Sequence, residues 1–160
     1  MNPMAIRKLT ELIRRAGGLA DHIESWLTPV FDLGIRLYVA SVFLRSGWLK
    51  ISNWDSTLVL FQNEYHVPLL SPNLAAILAV VGELGLPLLL VLGLAGRFGA
   101  AGLFVVNLVA VLSYPELSDL GRADHLLWGV LLLVTVLHGP GRLSVDFWLN
   151  LWVDRRHGTR

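Results

Sequence analysis

Between Leu74 and Ala95 the chain runs for 22 residues with one ionisable side chain, Glu83, near the middle. About 20 apolar residues suffice to cross the ~30 Å hydrocarbon core of a bilayer as a helix. The run therefore predicts a membrane span with a carboxyl group at mid-depth. A carboxylate there costs roughly 3 kcal/mol, whereas each Leu, Ile or Val contributes about −0.3 to −0.6 kcal/mol. Nine Leu, one Ile and three Val outweigh it. Pro87 follows one helical turn later. It has no N–H, and its ring crowds the carbonyl four residues back, that of Glu83. The side chain and the freed carbonyl require a partner within the bilayer: another helix, a water, an ion or a ligand.

Composition supports the same class. Of the 160 residues 54% are hydrophobic and 16% charged, against about 25% charged in a soluble domain. The net charge of +1 gives no reason to expect nucleic acid. There is no cysteine, which excludes disulfides, iron–sulfur clusters, thiol redox chemistry and covalent haem attachment. Any redox role needs a borrowed cofactor or a dissolved carrier.

Three further spans are expected. The first runs from about Val30 to Leu49 and carries Asp32, Arg36 and Arg45. After Ala95 the short Gly96-Arg97 connection forces a hairpin into Phe98–Tyr114, which Pro115 ends. The fourth covers His125 to His138, stopped by Gly139-Pro140-Gly141. Within the long connection 52–73, Leu58, Leu60, Phe61 and Tyr65 suggest a short surface helix. Ile6, Leu9, Ile13, Ala16, Leu19 or Ala20, Ile23 and Leu27 recur at helical spacing opposite Arg7, Lys8, Arg14 and Arg15, as in an amphipathic helix on a membrane surface. Residues 144–153 suggest a second interfacial helix. The expected fold is all-α: an integral membrane four-helix bundle with amphipathic interfacial helices at both ends. It divides into a leader (1–28), a four-span domain (29–142) and a C-terminal helix and basic tail (143–160).

Basic residues orient the bundle. Arg7, Lys8, Arg14, Arg15, Arg97, Arg142, Arg155, Arg156 and Arg160 flank one side, and only Lys50 and Arg122 the other. The positive-inside rule then puts both termini in the cytoplasm. Trp26, Trp148 and Trp152 fall at the inner interface, and Trp48 and Trp54 at the outer one.

Glu83 has three readings: one half of a buried ion pair, a protonated acid hydrogen-bonded within the bundle, or a group that handles protons or binds a small lipophilic ligand. Arg36 and Arg45 lie nine residues apart, about 180° around a helix, so they cannot both face one partner. Arg45 is near enough to the span's end to snorkel to headgroups, which leaves Arg36 the better partner for Glu83. Asp32, four residues before Arg36, offers it a helical ion pair instead. Asp124, His125 and Trp128 open the fourth span, where His125 is placed to cap a site or relay protons. His66 and His125 lack the spacing of a metal site, and no metal is assigned.

Arg36-Leu-Tyr with Phe43, Gly47 and Lys50, Glu83 followed by Leu88-Leu-Leu-Val-Leu-Gly-Leu and Arg97, His125-Leu-Leu-Trp128, and Gly139-Pro-Gly-Arg-Leu-Ser-Val-Asp146 occur in that order. With them the chain resembles the DoxX family of small four-helix membrane proteins over roughly Leu33 to Leu149. The resemblance implies a multi-pass protein of the bacterial inner membrane. Relatives are linked to a thiosulfate:quinone oxidoreductase membrane subunit, to oxidative-stress oxidoreductase complexes and to operons for copper-binding peptides. It marks Arg36, Glu83 and His125 as positions of interest.

The expected function is that of a membrane subunit presenting a quinone or similar lipophilic carrier to a redox partner, not a self-sufficient enzyme. Glu83, Arg36 and His125 would handle protons or ligand, and Glu83, Arg36 and Trp128 would bind the carrier. The alternatives are a non-catalytic assembly or maturation partner in metal or peptide handling or stress response, and a small transporter. Expected partners are the bilayer and either another protein or further copies of the chain.

Overall fold

A computed structural model describes residues 3–158; between Pro3 and Ala20 it describes the helical backbone and only some of the side chains. The described residues form six helices: α1 (Pro3–Ser52), α2 (Trp54–Asn63), α3 (Pro72–Leu92), α4 (Gly96–Ser113), α5 (Asp119–His138) and α6 (Val145–His157). Four are long and apolar enough to cross a membrane: Asp21–Ser52 of α1, and α3, α4 and α5. The protein is a multi-pass membrane protein of all-α fold.

Three boundaries differ from the sequence expectation. The α3–α4 turn is residues 93–95, so that Gly96 and Arg97 open α4 and do not form the connection. The leader is not separated from the first span. It forms the first half of a single 50-residue helix that runs through Pro29. The fourth span begins six residues before His125, because the Ser118 hydroxyl accepts from Gly121 N–H at 3.1 Å and caps a helix that starts at Asp119. The other ends follow ordinary helix chemistry. Ser71 caps α3 ahead of Pro72, and Gly93, at φ 63°, closes it in the left-handed conformation that glycine tolerates best.

A core of Val39, Ala40, Phe43, Leu90, Leu103 and Leu132 joins α1, α3, α4 and α5. At one end of the bundle, α2 packs Phe61 against Ala75 and Ala76 of α3. At the opposite end, the start of α6 plugs the α3–α4 turn. The Asp146 carboxylate accepts from the backbone N–H groups of Ala95 and Gly96, both at 2.8 Å, and so caps α4 from a distant part of the chain. A carboxylate at a helix N-terminus also meets the positive end of the helix dipole.

Arg36 belongs to this α6 end. Its side chain has no solvent exposure. Nη1 donates to the carbonyls of Leu90 (3.2 Å) and Val91 (2.9 Å), and Nη2 to that of Leu143. The guanidinium thus adds charged donors to the carbonyls of the last turn of α3, of which that of Leu90 also accepts from Gly93 N–H at 3.2 Å. This corrects the expected pairing with Glu83: Arg36 reaches the last turn of α3, not its middle. Asp32, one turn before it, lies against Gly141.

Replacing Arg36 by Met is expected to lower stability by on the order of 3 kcal/mol, since buried carbonyls lose charged donors. Arg36→Lys should recover less than half of this, because a single ammonium cannot reproduce the planar fork. Thermal unfolding in detergent measures both, and full recovery by lysine would contradict the assignment.

Candidate functional site

Glu83 is 6% exposed, and its partner is Lys50, two residues before the end of α1. Lys50 Nζ donates to Glu83 Oε1 at 3.0 Å, to Oε2 at 2.8 Å and to Ser46 Oγ at 2.7 Å. All three ammonium donors are thereby used. The approach needs Gly47, since a Cβ there would lie 2.9 Å from Leu84 Cδ2 and 3.0 Å from Glu83 Cβ. Thr57 of α2 donates its hydroxyl to the Lys50 carbonyl at 3.0 Å, so the same residue anchors the surface helix.

The pair lines a cavity of about 230 Å³ bounded by α3, α4 and the 65–70 connection. Only Lys50, Glu83 and Tyr65 bring polar side chains to it; the remainder is apolar, including Leu78, Ala79, Val105 and Val106. Leu78 and Val105 are also half-exposed on the outer flanks of α3 and α4. The cavity therefore reaches the lipid-facing side of the bundle.

Tyr65 stacks between Phe61 (centroids 4.7 Å apart) and Tyr114 (5.0 Å). The connection carrying it is tied to α4, His66 N–H donating to Ser113 O at 2.8 Å. Burial, and then the negative charge of Glu83, push the Tyr65 phenol up to about 12. Tyr114, at the outer end of the stack, is raised by its hydrogen bond to Glu64 and by that carboxylate's charge.

A second polar group lies behind the cavity wall. Asn107, next in sequence to the wall residue Val106, is buried on α4. Its Nδ2 donates to the His125 carbonyl at 2.9 Å, and its Oδ1 lies 2.7 Å from His125 Nδ1. An amide oxygen only accepts, so Nδ1 carries a proton and Nε2 of the neutral ring is left as the acceptor. Trp128 packs edge-on to both His125 and Phe43 and donates its indole N–H to Tyr38 at 3.4 Å.

The sequence-predicted residues thus separate. Glu83 lines the cavity. His125 and Trp128 share the adjoining cluster, and Arg36 lies at the other end of the molecule. Lys50 and Tyr65 enter the site without having been singled out for it. Lys50 was visible only as a piece of a motif, and the stack that selects Tyr65 joins segments nearly 50 residues apart in sequence. Among the described residues, no three His, Asp or Glu side chains come together as metal ligands.

The DoxX family profile matches residues 31–115, a stretch that contains Lys50, Tyr65, Glu83 and Asn107. The chain belongs to the DoxX family. No curated protein and no solved structure matches it. In this DoxX protein the matched stretch ends before α5, so the family profile covers the cavity and not His125.

Two measurements check the site. Lys50→Met or Glu83→Met alone should cost about 3–5 kcal/mol, and the two together close to nothing, because only the single changes leave a buried charged partner stranded. Additive losses in thermal unfolding would contradict a direct pair. Absorbance titration should show one phenol, absent in Tyr65→Phe, that ionises near 12 and not near the ordinary 10. The phenol stays neutral in the folded protein while the unfolded chain ionises, so its contribution to stability is present below about pH 10 and lost as pH rises through 12.

Proposed function

We propose that this protein is the membrane subunit of a redox complex and that the cavity beside Lys50 and Glu83 receives the ring of a quinone or similar lipophilic carrier from the bilayer. The observation that carries the reading is an apolar cavity, reached from the lipid side, whose few polar groups are an ammonium, a carboxylate and a phenol. Apolar pockets with a few convergent polar groups are the usual form of small-ligand sites. A cavity of about 150 Å³ accepts benzene, so 230 Å³ suits a substituted ring whose tail runs out between α3 and α4.

The fit is chemical as well as steric. A carbonyl oxygen accepts from Lys50 or Tyr65, and a hydroxyl donates to Glu83. A carrier of this class takes up electrons and protons together; in this reading the electrons come from a partner oxidoreductase, since a chain without cysteine offers no thiol or iron–sulfur route of its own. Lys50 and Glu83 hold or release the proton at the carrier oxygen. Asn107 orients His125, whose Nε2 is free to accept a proton on the far side of the wall. Arg36 and Trp128 take no direct part: one secures the opposite end and the other packs the His125 ring. The protein acts in the bacterial inner membrane with both termini in the cytoplasm, which puts α2 and the mouth of the Tyr65–Tyr114 stack on the outer side.

The double variant Lys50→Met, Glu83→Met separates packing from function, since it removes both charges and leaves no buried charge without a partner. It should fold with near-native stability yet retain less than a tenth of the carrier that copurifies with the native protein, measured by native mass spectrometry from mild detergent. A stable double variant with undiminished carrier would refute the proposal. For orientation, cysteines introduced at Ser71 and Gly158 should react with an impermeant thiol reagent on intact cells only at position 71; labelling only at 158 would reverse the topology.

A further inference from the structure

A helix of 50 residues is about 75 Å long, and crossing the ~30 Å apolar core uses about 20 of them. The first half of α1 therefore continues well beyond what a single crossing requires. Its apolar residues do more than recur helically. Ile6, Leu9, Ile13, Ala16, Ala20, Ile23, Leu27 and Val30 are separated by steps of three and four in strict alternation. Written as heptads, they occupy every a and d position over this stretch. Such a repeat, near 3.5 residues, keeps one seam facing a partner helix in a left-handed supercoil. Leu12, Leu19 and Trp26, at g, widen the apolar face beyond this seam, so the spacing also suits a helix resting on lipid, and the course of α1 decides between the two.

From Asp21 onward, where the side chains are described, the chain's own contacts leave that seam uncovered. Between residues 21 and 32, α1 meets the Gly141-Arg142 loop through Asp21, Glu24, Ser25, Pro29 and Asp32, which sit at b, e, f, c and f. Ile23, Leu27 and Val30 lie on the other side, 47%, 61% and 63% exposed. Pro29 falls on the loop-facing side, so its missing N–H does not interrupt the seam.

The register also continues into the bilayer. Gly34 and Ser41 take the next two a positions and Leu37 the d between them, all three on the exposed face of α1. A Cβ at Gly34 would meet nothing within 4 Å. Small residues on an outward face let a second membrane helix approach closely.

We propose that α1 pairs with α1 of a second copy of this chain as a parallel two-stranded coiled coil, whose seam runs from Ile6 through Val30 and continues into the membrane at Gly34, Leu37 and Ser41. Copies inserted with one topology are parallel by necessity, and their two-fold axis lies along the membrane normal. The charges are consistent with close pairing: Arg7, Lys8, Glu11, Arg14, Arg15 and Asp21 sit at b, c or f, and Glu24 is the one charge flanking the seam between residues 6 and 30. Residues 6–30 put 14 residues at a, d, e and g, and Gly34, Leu37 and Ser41 extend the seam toward the 20–30 residues per side of a stable interface. The unbroken helix through Pro29 favours this over lipid, since lying on the surface requires a sharp bend where α1 leaves the bundle.

The absence of cysteine makes the test clean. Single cysteines at Ala20 and Ile23 on the seam, and at Asp21 and Ser25 off it, are oxidised in native membranes in the full-length chain. At least tenfold more covalent dimer is expected at the seam positions. Equal yields at all four, no dimer at any, or a crosslink to a different protein would overturn the proposal. So would quenching of a fluorophore at Ala20 by shallow lipid-borne quenchers without dimer formation, which is the outcome for a helix resting on the membrane. As a second arm, Ile23→Asp with Leu27→Asp lies before the family-matched domain. It should convert the detergent-solubilised protein from two-chain to one-chain mass with the thermal unfolding of the bundle unchanged. A two-chain mass persisting in that variant would also overturn the seam.

Discussion

Lys50 and Glu83 carry opposite charges where little water reaches, and the geometry of the α2 end of the bundle follows from holding them together. Neither is tolerable alone in an apolar bundle, because an unpaired buried charge costs several kcal/mol. Their contact brings the end of α1 to the middle of α3, a register that Gly47 permits by leaving room for Leu84. Thr57 then ties α2 to the backbone of Lys50, and α2 in turn supplies Phe61 to the ring stack that holds Tyr65. The cavity is the space these elements leave beside α4 once the ion pair has set their spacing.

The other buried cation has a different task. Arg36 is surrounded by main-chain carbonyls, and its hydrogen bonds join α1, the end of α3 and the segment before α6. Asp146 adds the cap on α4. Backbone polar groups in a membrane protein must find partners within the protein, and here one guanidinium and one carboxylate close the α6 end. The molecule thus has a sealed end and an end with a lipid-accessible cavity.

Much of this was readable in advance. Apolar run length identified the spans, because bilayer thickness sets a length that few soluble helices share. The short break before Phe98 predicted the α3–α4 hairpin, although the turn is residues 93–95 and Gly96-Arg97 open α4. The DoxX resemblance rested on pieces whose roles are now visible: the Gly139–Asp146 stretch ends in the carboxylate that caps α4. Glu83 stood out because an ionisable group at mid-span must be satisfied. Its partner did not stand out. Arg36 and Lys50 are both cations on α1, and the choice between them depends on how far α1 slides along α3, a quantity absent from any one-dimensional pattern.

By itself the sequence determined the class of fold, the spans and the presence of a buried carboxyl, since each follows from transfer energies that act residue by residue. The tertiary structure alone decided which cation meets Glu83, that Tyr65 and Asn107 gather near it, and that the leader continues α1 without a break. Those outcomes depend on close packing between helices distant in sequence. A shift of one helical turn, about 5.4 Å, would have exchanged one set of neighbours for another with nearly the same hydropathy.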